Sequence, residues 1–108
     1  MTIQHKLVIL SQIAKKLNEC HVTWAVGGSL LLYFKGIVDE FHDIDLMVMA
    51  EDAKEAKIHL MEMGELQKLE YENPYKSDHF YVFKIEDVEV DLMGGFTTSF
   101  AYRMAQIL

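Results

Sequence analysis

Three aspartates and a pair of glycines carry the chemistry open to this chain. Asp43 and Asp45 are one residue apart in Asp43-Ile44-Asp45-Leu46, and Asp91 lies in a second alternating run, Val88-Glu89-Val90-Asp91-Leu92-Met93. Upstream, Val26-Gly27-Gly28-Ser29 leads into a short apolar stretch. Alternate residues of a strand share a face, so Asp43 and Asp45 point one way and Ile44, Leu46 and Val48 the other. Glu89 and Asp91 likewise share a face, opposite Val88, Val90 and Leu92. If the two runs are neighbouring strands with their acid faces aligned, Asp43, Asp45 and Asp91 converge. Close carboxylates repel one another, and burying them unpaired is costly; a divalent cation removes that cost. Magnesium takes oxygen ligands and is commonly shared between carboxylates and phosphates, and a pair of such ions can clamp both the attacking and the leaving oxygen of a phosphoryl transfer. The glycines supply the complement. Gly27 and Gly28 allow a sharp turn and close backbone approach. A helix starting near Ser29 aims its free N–H groups and dipole at that turn, and Ser29 adds a hydroxyl.

The elements that must position these residues follow from periodicity. Residues 3–19 predict an amphipathic helix, with Ile3, Leu7, Leu10, Ile13, Ala14 and Leu17 near helical spacing and Thr2 as its N-cap. Val22–Val26 predicts a short strand, ended by Gly27-Gly28. Ser29–Lys35 reads as a short buried helix closed by Gly36, and residues 37–42 as a loop. Asp43–Met49 predicts a strand, Glu51–Met63 a helix with Gly64 past its end, and Leu66–Tyr71 a further strand. The loop 72–78 holds the only proline, Pro74. His79–Ile85 and Val88–Met93 predict a hairpin turning at Glu86-Asp87. Gly94-Gly95 breaks the pattern, and Thr97–Leu108 reads as a final helix. The order αβαβαβββα gives an α+β domain on one small mixed β-sheet flanked by helices, with residues 1–108 as a single domain.

Composition narrows the function classes. Of 108 residues, 51% are hydrophobic, which predicts a packed fold rather than disorder. The net charge is −7 and Arg103 is the only arginine, so direct nucleic-acid binding through the protein's own charge is not expected. Cys20 is the only cysteine, which excludes an internal disulfide and suits a reducing compartment. No signal-peptide pattern and no membrane-length apolar run occurs, so a cytoplasmic location is expected. The histidines His5, His21, His59 and His79 lack zinc-like spacing and read as surface residues, as does His42 in its loop. Rival motifs fail on single residues. An EF-hand would need a polar ligand at Met47 and a glycine at Val48; a Walker A loop would need Gly-Lys-Ser/Thr; a Rossmann turn would need glycine at Leu31.

Gly27-Gly28-Ser29, then Asp43-Ile44-Asp45-Leu46, then Val90-Asp91-Leu92 on a later strand resemble the DNA polymerase beta-type nucleotidyltransferase superfamily. Within it, the chain is most similar to the minimal and the antibiotic nucleotidyltransferases. The resemblance covers residues 22–95. It implies transfer of a nucleoside monophosphate from Mg-NTP, with ATP the expected substrate, to a hydroxyl on a small molecule or a protein. It also implies that Gly27, Gly28 and Ser29 bind the nucleotide's distal phosphates, and that Asp43, Asp45 and Asp91 hold two magnesium ions, Asp91 also helping to deprotonate the acceptor. Relatives often place an arginine just before the acid pair. Here that loop, residues 35–42, carries Asp39 and Glu40 instead, leaving Lys35, Lys76, Lys84 and Arg103 as the cations available to a triphosphate. Glu89 reads as a solvent-facing acid whose parity also allows a ligand role. The alternative expectation is a catalytically weak, antitoxin-like binding module paired with a HEPN-like helical partner. An apolar surface left by a missing C-terminal portion would favour a homodimer.

Overall fold

The computed structural model describes residues 2–68 and 79–96. The predicted proline loop, the end of the Leu66–Tyr71 strand and the Thr97–Leu108 helix fall outside those residues. Helix α1 spans Ile3–Glu19, and Thr2 caps it through a 3.1 Å bond from the His5 N–H to its hydroxyl. Strand β1 (Trp24–Gly27) runs into α2 (Gly28–Phe34), and β2 (Ile44–Met49) into a 3-10 turn at Ala50–Asp52 and then α3 (Ala53–Met61). Strands β3 (Glu65–Gln67), β4 (His79–Ile85) and β5 (Val88–Phe96) follow.

These strands form one mixed sheet in the order β1-β2-β5-β4-β3. Only the β2–β5 pair is parallel; β1–β2, β5–β4 and β4–β3 are antiparallel. The β4–β5 hairpin turns at Glu86 and Asp87, both with positive φ (47° and 69°), as a tight two-residue turn requires.

Strand alternation sorts the core as the sequence predicts. Val26, Ile44, Leu46, Val48, Phe83, Ile85, Val88, Val90 and Leu92 face the helices and pack against Ile9, Leu10, Ile13 and Leu17 of α1, Leu30 of α2 and Leu60 of α3. The opposite face carries the acids beside a smaller apolar cluster of Ala25, Met47 and Met93 with Phe80 against it. Lys16 of α1 pairs with Glu62 at the end of α3 at 2.5 Å, a surface tie between the two helices.

Two expectations are corrected. Asp43 precedes β2 rather than lying in it, so the end of the loop aims its carboxylate. Gly94-Gly95 does not end β5, which continues to Phe96. Met47 pairs with Met93 and Met49 with Phe96, so β5 carries one extra residue there, a bulge that Gly95 absorbs at φ 110°. Gly94 stays in the ladder opposite His79, and a Cβ on it would lie 2.8 Å from that of Ala53. Gly94 therefore lets the start of α3 lie close on the sheet.

Candidate functional site

Parallel pairing of β2 with β5 assembles the acids. Asp45 sits directly opposite Asp91, and Gly27 directly opposite Asp45 on the other side. Continuing the register by one residue brings Asp43 alongside Glu89. One carboxylate oxygen from each of Asp43, Glu89 and Asp91 lies within 4.8 Å of the others. Glu89, read from sequence as a solvent-facing acid, thus belongs to the cluster while remaining exposed near the start of the central strand β5. Strand parity was the signal for it. What the parity lacked was the partner strand.

The cluster is electrostatically strained. Asp45 and Asp91 are 9% and 8% exposed, the two charged side chains buried among the described residues. Burial, with the charges of Asp43 and Glu89 adding to it, raises the Asp45 carboxyl to about 6. Burial raises Asp91 further, to about 8, helped by the charges of Glu89 and Asp45 and by a hydrogen bond with Glu89. Asp91 therefore resists ionisation more than Asp45, whose ionised form a hydrogen bond with Asp91 favours. Asp91 Oδ1 is buried with no hydrogen-bond partner among the described residues. An all-carboxylate donor set, an orphaned buried oxygen and two acids that resist ionisation are what a hard divalent cation would relieve. The residues present fit magnesium, with Asp43, Glu89 and Asp91 as the grouped ligands and Asp45 beside Asp91.

The glycine turn abuts this cluster. Gly28 has φ 56°, a left-handed conformation that L side chains rarely adopt. A Cβ at Gly28 would fall on Asp45 Oδ2 and within 2.9 Å of its Cγ. Gly28 is thus required twice, by its backbone and by the carboxylate against it. Gly27 is extended and would meet only the flexible end of Met47, at 3.0 Å. Ser29 follows in the first turn of α2, half-buried. Turn and acids therefore form one continuous surface.

Of the candidate cations, Lys84 of β4 is paired with Glu89, which puts it on the acid face one strand from the cluster. Lys35 caps the far end of α2. Lys76 and Arg103 lie outside the described residues.

The aminoglycoside-2″-adenylyltransferase family model matches residues 9–106. The chain belongs to that family. Its likeness to the polymerase beta-type nucleotidyltransferases, and among them to the minimal and antibiotic enzymes, holds in both sequence and fold. A provisionally assigned nucleotidyltransferase of Thermotoga maritima is 31% identical, with a TM-score of 0.71 over 87% of this chain and 58% of that one. The antibiotic-resistance factor ANT(2″)-Ia in solution is 20% identical, with a TM-score of 0.67 over 86% of this chain and 48% of that one. Its crystal structure with adenylyl-2″-tobramycin is 17% identical, with a TM-score of 0.68 over 87% of this chain and 52% of that one. At those identities ANT(2″)-Ia shares the fold. This family member spans roughly half to three-fifths of the length of these proteins. Among curated proteins, none matches the sequence. No helix among the described residues is long and apolar enough to cross a membrane.

Proposed function

We propose that this chain carries the nucleotide- and metal-binding core of a nucleotidyltransferase that moves a nucleoside monophosphate, from ATP in the first instance, to a hydroxyl on a small cationic acceptor. The observation that carries the reading is the meeting of Asp43, Glu89 and Asp91 within 4.8 Å, with Asp45 alongside and Gly28 against it. Bound magnesium supplies charge neutralisation and Lewis acidity at the phosphates.

The chain's own residues supply the rest. The backbone amides at Gly27, Gly28 and Ser29 approach the distal phosphates, because a glycine turn leaves no side chain in the way. Asp43, Glu89 and Asp91, with Asp45, hold the cations. In the transfer, the acceptor oxygen bonds to the α-phosphorus, the bond from that phosphorus to the bridging oxygen breaks, and pyrophosphate leaves. With a cation bound in place of its proton, the Asp91 carboxylate would accept the hydroxyl proton of the acceptor. A net charge of −7 and an acidic site edge favour a cationic acceptor, and an aminoglycoside hydroxyl is the acceptor class the family points to.

The test is pyrophosphate release from Mg-ATP in the presence of a panel of aminoglycosides, run beside calorimetric titration of Mg-ATP. The parent binds Mg-ATP, and Asp43→Ala and Asp91→Ala do not. Absence of metal-dependent nucleotide binding in the parent would sink the proposal. Binding without turnover on any hydroxyl acceptor would leave a nucleotide-binding module and refute the transferase reading.

A further inference from the structure

Asp43 stands at the end of a segment with little structure of its own, yet its carboxylate has to meet Glu89 and Asp91. The last backbone tie on the α2 side is Ile37 N–H to Leu32 O at 3.0 Å. From Val38 to His42, one hydrogen bond is present among the described residues: the Lys6 ammonium donates to the Phe41 carbonyl at 2.7 Å. Lys6 reaches there from the first turns of α1, with its Nζ 5.6 Å from the centre of the Phe41 ring. That ring is fully buried and meets Tyr33 of α2 edge-on, centroids 5.1 Å apart. Phe41 is therefore held on its apolar side by the core and at its carbonyl by Lys6, two residues before Asp43. The neighbouring residue on α1 makes a matching tie. His5 Nε2 lies 3.2 Å from the Glu86 carbonyl, in the turn just before Val88-Glu89. Adjacent residues of one helix thus touch both segments that deliver acids to the cluster.

We infer that Lys6 is a positioning residue for the metal site, holding Asp43 in ligating reach through the Phe41 carbonyl. This rests on the metal-binding reading of the acids given above. The physical reason is that a ligand on an irregular segment is placed only as well as its backbone is placed, and groups that fix ligands from behind commonly govern affinity. A buried ring fixes depth but leaves rotation about its own anchor open. A charge-assisted bond to the adjacent carbonyl removes that rotation.

The test is Mn²⁺ titration of the full chain, followed by electron paramagnetic resonance well below the melting temperature, with parent, Lys6→Met, Lys6→Arg and Lys16→Met proteins. Lys6→Met keeps the aliphatic packing and loses the donor, and its Mn²⁺ affinity falls by about tenfold. Lys6→Arg keeps a donor and restores most of the affinity. Lys16→Met breaks the α1–α3 ion pair on the same helix and leaves Mn²⁺ affinity at the parent value, whatever it does to the melting temperature. Parental affinity in Lys6→Met, or an equal loss in Lys16→Met, would overturn the positioning role alone. No Mn²⁺ binding by the parent would overturn the metal-site reading and the positioning role with it.

Discussion

Gly28→Ala puts a methyl group where the Asp45 carboxylate already lies. Two costs follow, and the structure separates them. The first is backbone strain: at φ 56° an L residue pays ~1–2 kcal/mol. Part of this is offset because alanine restricts the unfolded chain by ~0.4–1 kcal/mol, leaving a net loss of about 1 kcal/mol. In a domain of this size that is roughly 4–8 °C in melting temperature. The second cost is local. With the new Cβ on Oδ2 and 2.9 Å from Cγ, the Asp45 carboxylate has to move. A shift on the order of 1 Å at a reacting centre is worth about 10²-fold, and loss of ligand placement ~10–100-fold in metal affinity. Gly36 provides the control. It has φ 76°, and nothing lies within 4 Å of a Cβ built there, so Gly36→Ala carries the strain without the collision. Both variants melt earlier in circular dichroism, Gly28→Ala by more because it adds the collision with Asp45 to the strain. Only Gly28→Ala loses Mn²⁺ affinity, read by titration at a temperature where both are folded. If Gly28→Ala binds Mn²⁺ like the parent, or Gly36→Ala loses as much, the turn does not govern the acid cluster and the reasoning is refuted.

The proton affinities of the site fix the sign of its pH response. Asp45 and Asp91 rise from 3.8 to about 6 and about 8 on folding, so Mn²⁺ binding expels protons and its affinity increases from pH 6 to pH 8, measurable by titration in parallel buffers. The same shifts act oppositely on the metal-free fold: between pH 4 and pH 8 the folded state keeps protons that the unfolded chain has released. Its stability is therefore greatest near the acid end of that window and falls toward pH 8, a trend that urea melts in chelator would contradict if they rose. Asp91→Asn removes the most strained acid, raising the melting temperature of the metal-free protein by a few degrees, roughly 1 kcal/mol, while abolishing Mn²⁺ binding. A variant that melts lower than the parent would mean that Asp91 stabilises the fold. Lys84→Ala removes the cation opposite Glu89; Mg-ATP affinity drops severalfold while Mn²⁺ affinity alone holds or rises, and equal losses in both would rule out phosphate contact by Lys84.

Much of this architecture is local and was legible residue by residue. Alternation in Asp43–Met49 and Val88–Met93 assigns each side chain to a face before any partner is known. Helical spacing in residues 3–19 gives α1 and its buried stripe. Thr2, the Glu86-Asp87 turn and the Gly27-Gly28 turn are each set by neighbours in sequence. The misreadings came where a local rule met a distant contact. Gly94-Gly95 reads as a strand terminator because glycine weakens a strand, yet pairing with β4 and the close approach of Ala53 carry β5 through it. His5, read as a surface histidine, does lie at the surface, and its partner there, the Glu86 carbonyl, is 81 positions away in sequence.

By itself, then, the sequence determined which residues could act and which way each faces, because side-chain direction along a strand or helix is set by backbone geometry within a few residues. The tertiary structure decided which of them meet. That β2 lies beside β5 in parallel, with Asp45 opposite Asp91, depends on how segments 46 residues apart bury their apolar faces against common helices. The same pairing brings Glu89 into the cluster, while the β4–β5 pairing sets Lys84 beside it and the β1–β2 pairing seats Gly28 on the Asp45 carboxylate. Lys6 reaches Phe41 for a related reason: α1 is laid across the sheet by its apolar stripe, and its polar first turns are carried to the loop that ends in Asp43.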